Sequence, residues 1–355
     1  MATIGIFPFG GPGNPYTEML AEGIADAGYA VRRLQDTKIF PLRRAAQSGV
    51  DALHLLWPGN LYHSSTRAGT WLKRLMFRDG LRCLSRMPAV YSADNLYSHD
   101  AKNADFEVSM IQRIVSRARA VTVASAEAER LFLLKYKLPQ EARVFRVPHR
   151  HYIGKYADTV EKSEARSRLG LPPDSPVVLS LGRITPYKGL PGLVGAFLDA
   201  EVKGSILLVA GSEKIPGTVA SIESVAAGSG RAGDVRIHNR FIPDDEMQLY
   251  LRAADLMALS YEDVPMNPGS VILAMSFGLP VCCVAEGSVP EFLGEALYGY
   301  RRGDSAAQCD ALRRALENPA KLAELGKVAR ARAETNHSPG VVAARLAETY
   351  RHVLP

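Results

Sequence analysis

Arg183 and Lys188 lie close together in the run Ser180-Leu181-Gly182-Arg183-Ile184-Thr185-Pro186-Tyr187-Lys188-Gly189. A guanidinium offers phosphate oxygens a planar fork, and an ammonium offers them a point charge. Gly182 lets the chain turn off an apolar strand, and Pro186 stiffens the loop. Lys188 comes near the start of the next helix, where the positive end of the helix dipole favours anions. A second run, Glu262-Asp263-Val264-Pro265-Met266-Asn267-Pro268-Gly269-Ser270, feeds the apolar stretch Val271 to Pro280. Gly269 and Ser270 there open a helix with backbone N–H groups and a hydroxyl. Two fixed cations and free amides suit a diphosphate and neutralise it without a metal.

The first half offers other groups. Gly10-Gly11-Pro12-Gly13-Asn14-Pro15 follows the first strand and opens the first helix at Tyr16. It does not match G-x-G-x-x-G, so a dinucleotide is not expected there, and the reading is a βα loop lining a binding cleft. Gly228-Ser229-Gly230-Arg231-Ala232-Gly233 does match. It sits between a helix and the following strand, on the wrong end of the sheet, and reads as a surface loop. Asp94 ends the strand Ala89–Ala93, with His99 and Asp100 on the same loop. Each is a candidate proton acceptor and equally a loop or helix-capping residue. There is no Asp-x-Asp pair, and no metal or other cofactor is expected.

The elements that must position these groups alternate between short apolar runs and helical patterns. The first half reads as strands Thr3–Phe9, Ala30–Leu34, Ala52–Trp57, Ala89–Ala93, Ala120–Ala124 and Val144–Val147, with helices such as Tyr16–Ala27, Asp105–Arg117 and Ala126–Tyr136. The polar stretch Pro148–Pro173 breaks the rhythm and reads as a crossing between domains. Strands then resume at Val177–Leu181, Ser205–Ala210, Val235–Asn239, Leu256–Leu259 and Val281–Val284, followed by helices Ala306–Leu316, Pro319–Glu334 and Pro339–Val353. The expected fold class is α/β, with two tandem Rossmann-like doubly wound domains, residues 1–155 and 170–335, and a cleft facing the carboxyl ends of both sheets. Residues 336–355 form a terminal helix expected to pack back on the first domain.

A length of 355 residues suits two domains, and 47% hydrophobic with 23% charged residues is the balance of a soluble globular chain. No apolar run approaches the ~18 residues of a membrane span, and no cationic leader opens the chain. Cys83, Cys282, Cys283 and Cys309 form no C-x-x-C pair and read as reduced, mostly buried thiols. The net charge of +6 permits phosphate, nucleic acid or anionic lipid as partners. Aromatic and basic residues are not interleaved, and no helix-turn-helix or zinc-finger spacing is present, so nucleic acid is not expected. Arg67–Met87 sets Trp71, Leu72, Leu75, Met76, Phe77, Leu81 and Leu84 beside Lys73, Arg74, Arg78, Arg82 and Arg86. A basic amphipathic helix of this kind suits an anionic membrane surface, and equally a domain helix with a solvated basic face.

G-R-I-x-x-x-K-G after a strand, tandem doubly wound domains and a terminal helix resemble the GT-B glycosyltransferases over the whole chain. Retaining members usually carry Glu-x7-Glu, and here Pro265 and Leu273 stand at those positions. A narrower set of blocks occurs in order. It comprises Asn14-Pro15-Tyr16, Asp51 to Pro58, Asp94-Asn95-Leu96-Tyr97-Ser98-His99-Asp100, Arg183 with Pro186-Tyr187-Lys188-Gly189, and Pro268 to Ser276. The set is similar to the bacterial exopolysaccharide β-mannosyltransferases of the xanthan type. Two positions depart from it: the family's His-Asn is Asp94-Asn95, and the acidic residue after Trp-Pro is Gly59.

The resemblance implies inverting transfer of mannose from GDP-mannose to a polyprenyl-diphosphate-linked acceptor. The enzyme would work in the cytoplasm, on the inner membrane face. Arg183, Lys188, Gly269 and Ser270 would hold the donor diphosphate, and Tyr261, Glu262 and Phe241 its sugar and nucleoside. Gly13, Asn14 and Tyr16 would line the acceptor side, and the base would be Asp94, then Asp100, then His99. The alternatives are a retaining GT-B enzyme with a UDP-sugar donor, a sugar-nucleotide epimerase of the same fold, and a non-catalytic nucleotide-sugar binding subunit.

Overall fold

The computed structural model describes every residue except 11–14, 100, 102 and 355. The first unit, Met1–Arg150 with His337–Pro355, runs β1 (Thr3–Phe7), α1 (Tyr16–Asp26), β2 (Ala30–Arg33), α2 (Pro41–Ala46), β3 (Ala52–Leu55), α3 (Arg67–Leu84), β4 (Ala89–Ser92), α4 (Ala104–Val115), β5 (Ala120–Val123), α5 (Ala126–Lys135) and β6 (Arg143–Arg146). The second, His151–Asn336, begins with α6 (Lys162–Arg168), β7 (Val177–Leu181), α7 (Leu190–Asp199), β8 (Ile206–Ala210), α8 (Thr218–Gly228), β9 (Val235–His238), α9 (Met247–Ala253) and β10 (Leu256–Leu259). It continues with α10 (Gly269–Ser276), β11 (Val281–Val284), α11 (Val289–Leu293), β12 (Leu297–Tyr300), α12 (Ser305–Leu316) and α13 (Pro319–Asn336). The chain then returns to the first unit as α14 (Pro339–Val353).

Among the described residues the strands form two six-stranded sheets, ordered β2-β1-β3-β4-β5-β6 and β12-β11-β10-β7-β8-β9. Every pairing is parallel, with registers such as Ile4↔Ala52 and Val177↔Ile206. Both sheets are therefore doubly wound. In each, the direction of winding reverses at one point, between β1 and β3 in the first unit and between β7 and β10 in the second. The crevice outside the carboxyl ends of the strands at such a point is where this architecture binds ligands.

The inner strands β3, β4, β5, β7, β8, β10 and β11 are buried along their whole length. They read as mostly apolar runs because a parallel sheet is covered on both faces, although His54, Ser92, Thr122 and Ser180 are buried among them. In the first unit α14 seals the core, with Val342, Leu346, Tyr350 and Val353 packed among Ile4, Ile6, Leu20 and Ile24. Gly23 allows the approach, since a Cβ there would lie 3.1 Å from Leu346 Cδ1.

Several expectations need correction. β1 stops at Phe7 because Pro8 has no N–H to continue the ladder. β12 carries no clear strand signal, because its Leu-Tyr-Gly-Tyr sequence is a half-buried edge strand with a glycine inside. The six residues of α2 are too few to show a helical period. The stretch Pro148–Pro173 is not a plain crossing, because the first unit ends at Arg150 and α6 belongs to the second. Arg166 of α6 is buried, donating to Asp255 Oδ2 at 2.7 Å and to the Ala253 carbonyl at 3.1 Å. The charges that looked like linker thus fix α6 beside α9 and β10. All four cysteines are free, and all but Cys83 are buried.

Candidate functional site

The winding point of the second sheet gathers most of the expected diphosphate groups. β7 delivers Gly182 and Arg183, and Gly182 and Gly211 have φ of +115° and +148°. A Cβ on Gly211 would lie 2.0 Å from the Gly182 carbonyl oxygen, so the ends of β7 and β8 touch through bare backbone. Thr185 leads into a single 3-10 turn, Pro186–Lys188, and Gly189 at φ +57° starts α7.

Arg183 is exposed at the rim, whereas Lys188 is buried and its Nζ donates to the Leu181 carbonyl at 3.2 Å. The two cations therefore differ, because the lysine folds back under the turn. A Cβ on Gly182 would come within 2.7 Å of Nζ, so the glycine is what makes room for it. Desolvation, with Arg183 adding repulsion, lowers the ammonium to about 8. An anion arriving here would relieve both costs. Thr185 is buried, and its Oγ1 has no hydrogen-bond partner among the described residues. The motif contains this residue, yet its burial depends on the 3-10 turn and was not legible.

From the other side of the winding point come β10 and α10. Tyr261 is buried. Its ring stacks on Tyr187 at 6.5 Å and 6°, and its hydroxyl is hydrogen-bonded to Ser270. It supports the first turn of α10, whose opening residues are Gly269 and Ser270. Glu262 is exposed, and its N–H donates to the Tyr187 carbonyl at 2.8 Å. A Cβ on Gly189 would meet Glu262 Oε1 at 2.6 Å, which places that carboxylate at the start of α7. Phe241, after β9, is 61% exposed, while Ile242 beside it is buried. Leu273, where the retaining pattern has a glutamate, is buried on α10.

In the first unit Asp94 follows β4, and its Oδ1 accepts from the Tyr16 hydroxyl at 2.8 Å. Tyr16 opens α1, and its ring lies 5.5 Å from Trp57 after β3 and 5.2 Å from His149. Trp57 is held at φ +34°, a conformation that costs a residue with a Cβ. Burial pushes His149 down to about 4, and its Nδ1 lies 2.7 Å from the Arg150 carbonyl oxygen. Trp57 and His149 therefore join Tyr16 and Asp94, which single positions in the sequence did not reveal. His99 is on the described part of the loop, partly buried. Gly13, Asn14 and Asp100 lie outside the described residues.

Behind this edge a polar chain crosses the sheet. His54 Nδ1 lies 2.6 Å from the Tyr350 hydroxyl, His54 Nε2 lies 2.8 Å from Ser92 Oγ, and Ser92 Oγ lies 2.8 Å from Thr122 Oγ1. Burial lowers the imidazole to about 3. Each member satisfies another, so the chain ties α14 to β3, β4 and β5 at no unsatisfied cost. Among the described residues no group of His, Cys, Asp and Glu has the arrangement of a metal site. No helix there is long and apolar enough to cross a membrane.

Residues 161–332 match the family model described as "Glycosyl transferases group 1". The chain is 24% identical over 270 residues to a GDP-mannose:glycolipid 4-beta-D-mannosyltransferase of Xanthomonas campestris pv. campestris, across 76% of this chain and 69% of that protein. It is 30% identical over 268 residues to a D-inositol 3-phosphate glycosyltransferase of Segniliparus rotundus, across 69% of this chain and 55% of that one. Among solved structures, sucrose-phosphate synthase from Thermosynechococcus elongatus superposes with a TM-score of 0.76 at 21% identity, covering 99% of this chain and 98% of that one. Anabaena Alr3699/HepE in complex with UDP and glucose gives 0.75 at 17% identity, covering 99% and 100%. The structural likenesses speak for the fold, and the family match falls on the unit that carries Arg183, Lys188, Gly269 and Ser270. With a group 1 domain at residues 161–332, this chain is a nucleotide-sugar-dependent glycosyltransferase of the GT-B fold.

Proposed function

We propose that the enzyme transfers mannose from GDP-mannose, with inversion, to a lipid-linked or oligosaccharide acceptor in bacterial exopolysaccharide assembly. The observation that carries the reading is the convergence of Arg183, Lys188, Thr185, Gly269 and Ser270 on one winding point, together with the likeness to a mannosyltransferase of that donor. In the mechanism, Asp94 takes the acceptor hydroxyl proton and that oxygen attacks the anomeric carbon. The bond from that carbon to the diphosphate breaks. Arg183 and Lys188 stabilise the departing negative charge, which grows in the transition state and so lowers the barrier. Ser270 and the α10 amides hold the diphosphate. Glu262 lies near the sugar or ribose, and Phe241 packs on the base.

The surface of α3 supports work at a membrane. Trp71, Leu72 and Leu75 are 65%, 52% and 41% exposed beside Lys73, Arg74, Arg78 and Arg82, with Ile39 and Phe40 also exposed. Exposed apolar side chains among cations fit an anionic lipid surface.

The test is a thermal-shift panel of GDP-mannose, GDP-glucose, UDP-glucose and UDP-N-acetylglucosamine, followed by proton NMR of the product. Only GDP-mannose should raise the melting temperature strongly, because a ligand of the native state stabilises it by mass action. A UDP-sugar preference would overturn the donor, and an α-linked product the inversion.

A further inference from the structure

Another cluster on the carboxyl edge of the first sheet takes no part in these steps. Glu107 is buried in the first turn of α4, where Asn103 caps the helix by accepting from the Phe106 N–H at 2.9 Å. Its Oε2 accepts from the Tyr62 hydroxyl at 2.7 Å, and its Oε1 is hydrogen-bonded to His63 Nε2. The His63 side chain is 44% exposed, and among the described residues its Nδ1 has no hydrogen-bond partner. The Phe106 ring lies 5.4 Å from the imidazole, and the Arg74 guanidinium sits 4.1 Å over Phe106. His63 follows β3, and Phe106 and Glu107 follow β4. The two strands pair, so the cluster leaves the same edge as Asp94.

A buried carboxylate is costly unless both oxygens are bonded, and here that bonding fixes one orientation of an imidazole. With Nε2–H donated to Glu107, Nδ1 is left as a hydrogen-bond acceptor. The charges of Arg74 and Glu107 oppose each other, so the cluster suits a neutral hydroxylated ligand better than a second phosphate. A partly exposed aromatic, an acceptor nitrogen and a guanidinium match the apolar face and the hydroxyls of a pyranose.

We propose that His63, Phe106 and Arg74 form the subsite for a pyranose ring of the acceptor, held in shape by Glu107 beneath them. The proposal rests on the reading that the acceptor is a glycan. His63 accepts a hydrogen bond from a ring hydroxyl, and no covalent bond changes there.

Octyl α-D-mannopyranoside and octyl β-D-glucopyranoside are the probes, with GDP-mannose as donor. In the wild type, saturation-transfer NMR should show contact with the ring protons of at least one glycoside. His63→Ala and Phe106→Leu should weaken that signal and raise the acceptor KM about tenfold, while the donor KM moves by less than about twofold. Arg74→Gln, at an exposed position, serves where Phe106→Leu fails to fold. Ring contact that disappears in His63→Ala while GDP-mannose proves a poor donor supports the subsite and removes only the donor assignment. An unchanged acceptor KM in His63→Ala overturns the proposal. So does a fall in kcat alone with a lost acid limb in the pH profile, which would make His63 a proton acceptor. Absence of ring contact in the wild type overturns it as well.

Discussion

Tyr16 donates its hydroxyl hydrogen to Asp94 at 2.8 Å across 78 residues of sequence, joining the first turn of α1 to the end of β4. One oxygen of the proposed base is thereby fixed in place.

Asp94→Asn keeps this shape and removes the basicity. It should lower kcat about 100-fold or more while the donor KM stays near wild type, since a positioned base contributes about 10²–10⁴. Tyr16→Phe should cost less, about threefold to tenfold, by releasing the carboxylate from one orientation. Steady-state kinetics on both variants would check this, and full turnover by Asp94→Asn would remove the assignment.

Lys188 gives opposite pH trends for binding and stability. Its folded value of about 8 lies below the 10.5 of the free side chain, so between these values the unfolded chain holds the extra proton. Stability from this site therefore rises with pH across that window. In the proposed role the ammonium holds the diphosphate, so nucleoside diphosphate binding should weaken above pH 8. Calorimetric titration with GDP from pH 7 to 10 should show the loss in wild type and a flat, weak profile in Lys188→Met.

Acid should unfold the first unit through buried imidazoles. His54 and His149 are held at about 3 and about 4 by burial, below the free value of 6.5, so the unfolded chain takes up protons first as the pH falls. The urea midpoint should drop from pH 6.5 toward 4. His54→Asn should blunt that drop but cost about 1–3 kcal/mol at pH 7, because Ser92 and Tyr350 lose a partner.

Gly211→Ala tests the bare-backbone contact between the ends of β7 and β8. The added carbon would lie 2.0 Å from the Gly182 carbonyl oxygen, at a φ that side chains rarely adopt. A loss of about 1–3 kcal/mol or more in chemical denaturation is expected, with weaker GDP binding. A variant as stable as wild type would show that the contact can relax.

The α3 surface predicts vesicle binding. Cosedimentation with phosphatidylglycerol vesicles should be strong at low salt and released at high salt, as expected of cations near an anionic surface. Changing Trp71, Leu72 and Leu75 to Ser should abolish it without unfolding the chain, because all three side chains are exposed. Equal partition of wild type and variant would discard the membrane reading.

Much of the fold is local in origin and so was readable. β7, β10 and β11 are short, largely apolar runs because both faces of their sheet are covered, and the expected bounds match for all three. α14 begins at a proline after Ser338, whose hydroxyl accepts from the Val341 N–H, and such caps are written in consecutive residues. The edge strand β12 carries no such signal, being only half-buried.

The sequence alone determined the strand–helix alternation, Gly182 at the end of β7, and the cationic loop between β7 and α7. Each of these depends on residues within a turn or two of one another. Only the tertiary structure decided that Lys188 is buried, that Tyr261 supports Ser270, that Tyr16 holds Asp94 and that Glu107 holds His63. Those outcomes depend on which strands pair and which loops share an edge. The parallel crossovers bring together side chains far apart along the chain, and no local pattern of residue types records that meeting.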